Sequence, residues 1–481
     1  MAHASLIATL LDPPSPDGAD LAALPKTVEW LEVRADRTGD IDPEWLRSHF
    51  KGRLLYALRT EDGRDSFANR AQRLQAAARH YDLVELEGLR DQDLFELVPP
   101  EQRLLSWYGH VNDLSTLTER FEQLTSVPAT VYKLVTTATS IAEEFLPLNL
   151  LKSLQREDTI AFANGPLGFW NRVVALHLGA PAIFGLVGRG SVVDMEPSIG
   201  KLIDDYGLPA VTPVNELFAI IGNPIFHSLS PRLHNAAYRA MNHPALFVPL
   251  RVDSFAEFWR EFVVSKRLDA LGMPINGMTV ASPHKEEAVL TAKIVSGMAR
   301  QAEAANILVR NNGWWSADTT DPDVVYAASS DRSVEVKAKR AAVIGCGGAG
   351  RAIAAALVAS GAGVTLINRG AERGEHAAAL LGLPYIPLRE FNAEGYDIVV
   401  NATPVGRDTD EVPFQVERLN DDAVVIDLVY GSRPTPLVGT TRARHQVAID
   451  GRDVLVTQVC RQFQLMTGKE MSVTLAREIL L

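Results

Sequence analysis

Eight short β-rich runs recur through the first 210 residues, at 6–10, 28–33, 54–58, 83–86, 104–107, 130–135, 159–163 and 182–187. Stretches with apolar residues at helical spacing lie between them, among them 66–81, 113–124, 140–154 and 169–178. Strand–helix alternation joins each strand to the next by a right-handed crossover, so neighbouring strands run parallel. Eight such units in ~200 residues predict a (β/α)8 barrel. The chain has 481 residues, more than the ~250 one barrel uses, so further domains follow.

Charge narrows the partners. Lys and Arg number 47 against 59 Asp and Glu, a net charge of −12, which repels phosphate backbones and anionic lipid. Neither nucleic acid nor a membrane is therefore an expected partner; small molecules are. No apolar run reaches the ~18 residues of a membrane span. Residues 4–11 are apolar, but no Lys or Arg precedes them and Asp12-Pro13-Pro14 follows, so they read as a first buried strand, not a signal core. Two cysteines, Cys346 and Cys460, are too few for a disulfide framework or a structural zinc site, and a reducing cytoplasm fits. No metal is expected.

A barrel does its chemistry at the C-terminal ends of its strands. Strand two ends in Glu32-Val33-Arg34 and strand three at Arg59; strand four carries Glu85 and Glu87 on one face; strand six contains Lys133. Desolvation inside a strand would lower the pKa of Lys133 and make it a nucleophile able to form a Schiff base, with Glu87 the carboxylate beside it; a salt-bridged structural lysine is the alternative. Taken together, Glu32-x-Arg34, Arg59-x-Glu61-x-Gly63, Asp82-x-x-Glu85-x-Glu87, Lys133 and Gly168-x-x-x-Arg172 resemble the type I 3-dehydroquinate dehydratases over about 200 residues. The resemblance implies an imine between Lys133 and the substrate ketone, Glu32, Arg34, Arg59 and Arg172 as substrate-binding groups, and loss of water to give 3-dehydroshikimate. Two departures stand out. Where that family has Ser-x-His, this chain reads Ser106-Trp107-Tyr108-Gly109-His110, so the general acid/base falls on His110, one strand period late, or on Tyr108. Where the family's late loop has Gly-Gln, Met195-Glu196-Pro197-Ser198 stands.

Beyond Gly207-Leu208-Pro209-Ala210-Val211-Thr212-Pro213, which reads as a rigid linker, a second half begins near Glu216. A strand leads to His227-Ser228-Leu229-Ser230-Pro231, where Ser230 has the form of a helix cap. A strand through Thr279 ends at Ala281-Ser282-Pro283-His284-Lys285, and Asn306 and Asp318-Thr319-Thr320-Asp321 follow. Next, a strand at 340–344 runs into Gly345-Cys346-Gly347-Gly348-Ala349-Gly350 and a helix over 351–360. Glycines in that setting let backbone approach a pyrophosphate at a helix N-terminus. The following strand ends not in an acid but in Asn368-Arg369, with Arg373 close behind, which favours the 2′-phosphate of NADP over the ribose of NAD.

These motifs, with Asn401-Ala402-Thr403-Pro404, Asp427-Leu428-Val429-Tyr430 and 451–458, resemble the shikimate dehydrogenases over 216–481. The resemblance implies Lys285 and Asp321 as the catalytic pair, and Ser228, Ser230, Asn306, Tyr430 and Gln458 as substrate contacts. It places Gly345, Gly347, Gly348, Ala349, Gly350, Asn368, Arg369, Arg373, Thr403 and Gly451 around NADP. Thr279, Ala281 and Thr319 depart from the family's usual residues. The expected architecture is thus α/β: a (β/α)8 barrel over 1–212, a substrate-binding α/β lobe over 216–330, a Rossmann-like NADP lobe over 335–445, and C-terminal helices over 446–481 returning to the substrate lobe. The whole resembles the plant-type bifunctional fusion of the shikimate pathway, which implies that the chain turns 3-dehydroquinate into shikimate. Rival readings are a quinate dehydrogenase second half and a sensor of quinate or shikimate that has lost catalysis. Oligomeric state stays open.

Overall fold

In the computed structural model, residues 2–60, 67–154, 156–188, 192–193, 195–331, 334–431 and 433–480 are described; Glu61 and Gly63 of the Arg59 motif lie outside them. By its contacts the chain forms two compact units, Met1–Leu217 with Pro224–Ile275, and Phe218–Asn223 with Asn276–Leu481.

The first unit holds eight parallel strands: β1 (Ser5–Leu10), β2 (Val28–Arg34), β3 (Arg53–Ala57), β4 (Leu83–Glu87), β5 (Arg103–Gly109), β6 (Val131–Thr137), β7 (Thr159–Asn164) and β8 (Ala182–Leu186). Their ladder runs β7-β6-β5-β4-β3-β2-β1-β8, a nearly closed barrel. Both strand faces are buried, which is why the sequence shows apolar runs and not alternation. Ile7, Leu55, Leu83, Leu104, Val135, Ile160, Phe162 and Phe184 cluster together as the inward set, while residues of the other parity, such as Leu6, Leu31, Leu54, Leu105 and Leu134, are buried on the opposite face.

Between strands the helices start at capping residues. The Asp113 carboxylate accepts from the Thr116 amide at 2.8 Å, and the Ser198 hydroxyl from the Lys201 amide at 3.1 Å. Gly207, with φ of 72°, ends the helix Ile199–Tyr206 in the left-handed region that favours glycine. The stretch after it is not a free linker: Ala210 and Val211 pair antiparallel with His3 and Ala2 and so stay within the barrel unit. Pro224–Ile275 belong to the same unit. Phe226 packs on Phe169, and Phe262 on Trp170 and Phe145, at ring-centroid distances of 5.2–5.6 Å. Here the helix Ser230–Ala240 begins one residue earlier than its sequence suggests: Leu229 is the capping position, and the Ser228 hydroxyl accepts from the Ser230 amide at 3.2 Å. The expected cap at Ser230 is thereby corrected.

From Phe218 and Asn276 on, respectively, β9 (Glu216–Gly222) and β10 (Ile275–Val280) belong to the second unit, where with β11 (Ile294–Val295), β12 (Ile307–Asn311) and β13 (Trp314–Asp318) they lie in the order β9-β10-β12-β13-β11. A second, all-parallel sheet holds β14 (Arg340–Ile344), β15 (Gly363–Asn368), β16 (Tyr385–Pro387), β17 (Ile398–Asn401), β18 (Val424–Asp427) and β19 (Ala448–Ile449). Its order, β16-β15-β14-β17-β18-β19, is the 3-2-1-4-5-6 winding of dinucleotide-binding folds. Ala341 and Val343 of β14 face one core, Ala342 and Ile344 the other, as a sheet covered on both sides requires. Among the described residues, no helix is long and apolar enough to cross a membrane.

Candidate active sites

A cavity opens within the barrel, with Lys133 on its wall. Lys133 is 1% exposed, and its Nζ lies 3.7 Å from Glu32 Oε1, 3.7 Å from Glu85 Oε2 and 3.7 Å from the centre of the Phe184 ring. These four side chains come from β2, β4, β6 and β8: alternate strands fill one interior layer, and here three of its four members are ionisable. Nζ has no hydrogen-bond partner among the described residues. Burial pushes its pKa down to about 8, Glu85 opposing the shift. Burial alone would raise Glu85, but Lys133 and Arg59 outweigh it and hold the carboxylate ionised.

Glu87 does not stand beside Lys133, contrary to the sequence reading. The ladder pairs Glu87 with Ser106 and Ser106 with Lys133, which suggests that they share a level. Ladder partners face one another perpendicular to the strands, however, and strands in such barrels tilt by ~36°; stepping across two strands at ~4.8 Å each moves ~6 Å along the barrel axis, which corresponds to ~7 Å, or two residues, along a strand. Glu85 is therefore level with Lys133. Glu87 instead accepts from the Thr60 hydroxyl at 2.8 Å and pairs with Arg70 at 3.2 Å.

His110 leaves the barrel as well. Strand β5 ends at Gly109, so the alternation that would aim residue 110 inward has stopped; the imidazole is exposed, with Nδ1 donating to the Thr137 carbonyl at 2.9 Å. Tyr108 takes the inward position, and its hydroxyl donates to Glu85 Oε1 at 2.6 Å. The predicted cations do converge on the cavity. Arg59 donates to Glu32 Oε1 at 3.0 Å and lies over the Tyr108 ring at 4.7 Å; Arg34 is clamped on Asp36 at 2.7 and 3.0 Å; Arg172 reaches Glu196 at 2.8 Å and Asn164 at 2.7 Å. Sequence reasoning missed Thr9 and Asn164, polar residues on short runs with no motif around them, and it met Glu196 only as a departure in the late loop, not as the partner of Arg172.

The second unit brings four predicted residues together. Lys285 Nζ donates to Asp321 Oδ2 at 2.7 Å, while Asn306 Nδ2 and Gln458 Nε2 donate to Asp321 Oδ1 at 3.1 and 2.8 Å. A further shell holds this group: Thr320 bonds to Asn306, and Gln462 bridges Thr320 and Thr279. Lys285 starts the helix Lys285–Thr291 with its side chain partly exposed, and Asp321 is 2% exposed just past β13. Ser228 and Ser230, both buried, are part of the other unit.

At the end of β14 the glycine loop has the shape a pyrophosphate needs. Gly345 has φ of 103°; a Cβ on Gly350 would lie 1.8 Å from the Gly345 carbonyl oxygen; one on Gly347 would meet nothing within 4 Å, so that side of the loop is open. Ala349 lies in the first turn of the helix Gly348–Ala359. A Cβ on Gly348 would stand 3.2 Å from Lys285 Cβ, so this helix start abuts Lys285. Arg351, buried and missed in the sequence, ties the loop down by donating to the Cys346 and Ala302 carbonyls and to Glu286. Asn368 accepts from the Cys346 amide, Arg369 and Arg373 are exposed at the end of β15, and Thr403 closes on the loop through its methyl. Tyr430 and Gly451 line a separate cavity with Arg452 and Asp450.

Family models match along the chain: type I 3-dehydroquinase over residues 17–199, the shikimate dehydrogenase substrate binding domain over 220–308, and the NAD binding domain of D-isomer specific 2-hydroxyacid dehydrogenases over 292–428. The bifunctional 3-dehydroquinate dehydratase/shikimate dehydrogenase of Arabidopsis thaliana, a chloroplastic protein, is 28% identical over 383 residues, covering 74% of this chain; the chain spans 61% of that relative's length. The NADP(+) shikimate dehydrogenase of Syntrophobacter fumaroxidans is 34% identical over 263 residues, 53% of this chain and 88% of its own. A crystal structure of a shikimate dehydrogenase in complex with NADP+ superposes with a TM-score of 0.50 at 27% identity, over 56% of this chain and 96% of the other. With nearly the whole of such a dehydrogenase matched in its second half, the chain belongs to the shikimate dehydrogenase family, and it carries a type I 3-dehydroquinase domain ahead of that half.

Proposed function

We propose that this chain is a bifunctional enzyme of the shikimate pathway, acting in the cytoplasm: its barrel dehydrates 3-dehydroquinate to 3-dehydroshikimate, and its second half reduces that product to shikimate with NADPH. The observation that carries the first activity is Lys133, buried without a hydrogen-bond partner among the described residues and lowered to about 8, so that free amine is available to attack a ketone. Arg172 supplies the forked guanidinium for the substrate carboxylate, with Arg34 and Arg59 beside it and Glu32 on the lysine.

For the second activity, the carrying observation is the Lys285–Asp321 contact abutting the glycine loop. When bound, NADPH supplies the hydride. The loop of Gly345, Gly347, Gly348, Ala349 and Gly350 would hold its pyrophosphate, Asn368, Arg369 and Arg373 its 2′-phosphate, and Thr403 and Gly451 the remainder. Arg369 and Arg373 are exposed, so their charge is open to a phosphate from solvent. Lys285 gives the proton that the forming alkoxide needs, and Asp321 orients it. Asn306 and Gln458 contact the polyol; Ser228, Ser230 and Tyr430 join them on the family resemblance. Division by activity follows 1–212, 216–330, 335–445 and 446–481.

The test is to mix the full chain with 3-dehydroquinate and NADPH and follow shikimate. Lys133→Ala should stop the first step and leave reduction of added 3-dehydroshikimate intact, and Lys285→Ala should cut that reduction by roughly 10²–10⁴. Absence of shikimate from the wild-type protein overturns the reading.

A further inference from the structure

We infer that Tyr108 is the proton-transfer residue of the barrel site, giving and taking back the protons of the dehydration that Lys133 begins. This inference rests on the dehydratase reading above. An imine on Lys133 cannot form, eliminate water and hydrolyse without a second group that exchanges protons with the substrate. His110 lies outside the cavity. Of the carboxylates on the cavity wall, Glu32 is bonded to Thr9 at 2.6 Å and to Arg59 at 3.0 Å, and Glu196 to Arg172 at 2.8 Å. Arginine does not release a proton near neutral pH. Tyr108 lines the cavity, and its hydroxyl is 2.6 Å from Glu85, a carboxylate that also faces Lys133 Nζ at 3.7 Å. The phenol is thus linked to the lysine through one buried carboxylate. The Arg59 guanidinium lies 4.7 Å over the phenol ring, a positive charge placed to offset a phenolate. Burial and the neighbouring carboxylates keep the resting group a phenol, so it enters the cycle as an acid.

The protons balance through one hydroxyl. The Lys133 amine adds to the ketone carbon, and the carbonyl oxygen takes the amine's proton. Tyr108 then protonates that hydroxyl; the C–O bond breaks, the nitrogen lone pair closes a protonated imine, and water leaves. The resulting phenolate removes the proton on the adjacent carbon, the C–H pair becoming a C=C bond while the C=N pair returns to nitrogen. Restored, the phenol protonates the β-hydroxyl as the enamine expels it as a second water. Hydrolysis ends the cycle: phenolate takes a proton from the attacking water, the new hydroxyl passes its proton to nitrogen, and the C–N bond breaks to free Lys133. One water is lost overall.

The experiment uses the full chain and 3-dehydroquinate, with two readouts: 3-dehydroshikimate formed per second, and the borohydride-reduced adduct on Lys133 located by mass spectrometry. Tyr108→Phe should lower turnover by roughly 10²–10⁴ with KM moved by less than about threefold, while the adduct still forms on Lys133, only more slowly. Tyr108→His, which restores a group able to give and take a proton, should regain at least about tenfold over the Phe variant. A Phe variant turning over within about threefold of wild type overturns the inference, and so do Phe and His variants impaired alike. If the Phe variant gives no adduct at all, the His variant still decides between these outcomes. A wild-type protein that forms neither adduct nor product overturns the dehydratase reading and this inference together.

Discussion

Lys133 shows how much one buried charge can change. At pH 7 a lysine of pKa about 8 is free amine about one time in ten, against roughly one in three thousand for an ordinary lysine near 10.5. The initial rate of the borohydride-trapped adduct should therefore climb with pH to about 8 and then level, whereas a rate still rising in proportion to hydroxide past about pH 9 would contradict the lowered value. Stability follows the same shift. The unfolded chain holds the extra proton between about 8 and about 10.5, so the lysine costs stability below that window and the cost fades as pH rises through it. Glu196 makes a second residue-scale case. Burial alone would raise its pKa, but Arg172 outweighs this and keeps it ionised, so the substrate's carboxylate must compete for a guanidinium already paired. Partly exposed pairs are worth ~0.2–1 kcal/mol, so Glu196→Gln should lower KM for 3-dehydroquinate by up to about fivefold; an increase in steady-state KM would count against Arg172 as the carboxylate clamp. Residue-level reading of the sequence reached Lys133, because a lysine in an apolar strand has few explanations. It chose Glu87 over Glu85 because period-two alternation gives the face but not the level, which depends on barrel tilt. It kept His110 in play because nothing in Tyr108-Gly109-His110 marks where the strand stops.

Regular elements were easier to read than their joints. All eight barrel strands and the β14–loop–helix unit lie where apolar runs and glycine spacing put them, since continuous Val, Ile and Leu between turn residues has few other outcomes. The segment after Tyr206 was not legible: a glycine followed by prolines signals a linker and a helix C-cap equally well, and only the partner strand at Ala2–His3 distinguishes them. The glycine loop is the element most open to test. Because a Cβ on Gly350 would sit 1.8 Å from the Gly345 carbonyl oxygen, Gly350→Ala must push helix and loop apart. Overpacking of this kind costs about 1–3 kcal/mol, so NADP(H) should bind about 5- to 150-fold more weakly, measured by fluorescence titration, with barrel turnover unchanged. Unaltered binding would place the pyrophosphate elsewhere.

At the scale of the whole molecule, neither compact unit is a continuous stretch of chain. Phe169 and Trp170, both fully buried, find Phe226 and Phe262 only in the Pro224–Ile275 segment. A chain ending at Val214 would keep every barrel strand but expose those rings. Burial of a large apolar side chain is worth ~1.5–3 kcal/mol out of a total stability of ~5–15 kcal/mol, so this truncated chain should melt well below the barrel of the intact protein and bind a hydrophobic dye. An unchanged melting temperature would mean that the segment adds nothing to the barrel. The same arrangement bears on synthesis. A ribosome delivers the first unit through Leu217, then six residues that belong to the other unit, and only later the segment that covers Phe169 and Trp170. At ~5–20 residues per second the wait for residue 275 is roughly 3–12 s, and for that interval a nascent barrel carries bare aromatic surface, so slowing translation there should lower the yield of folded protein.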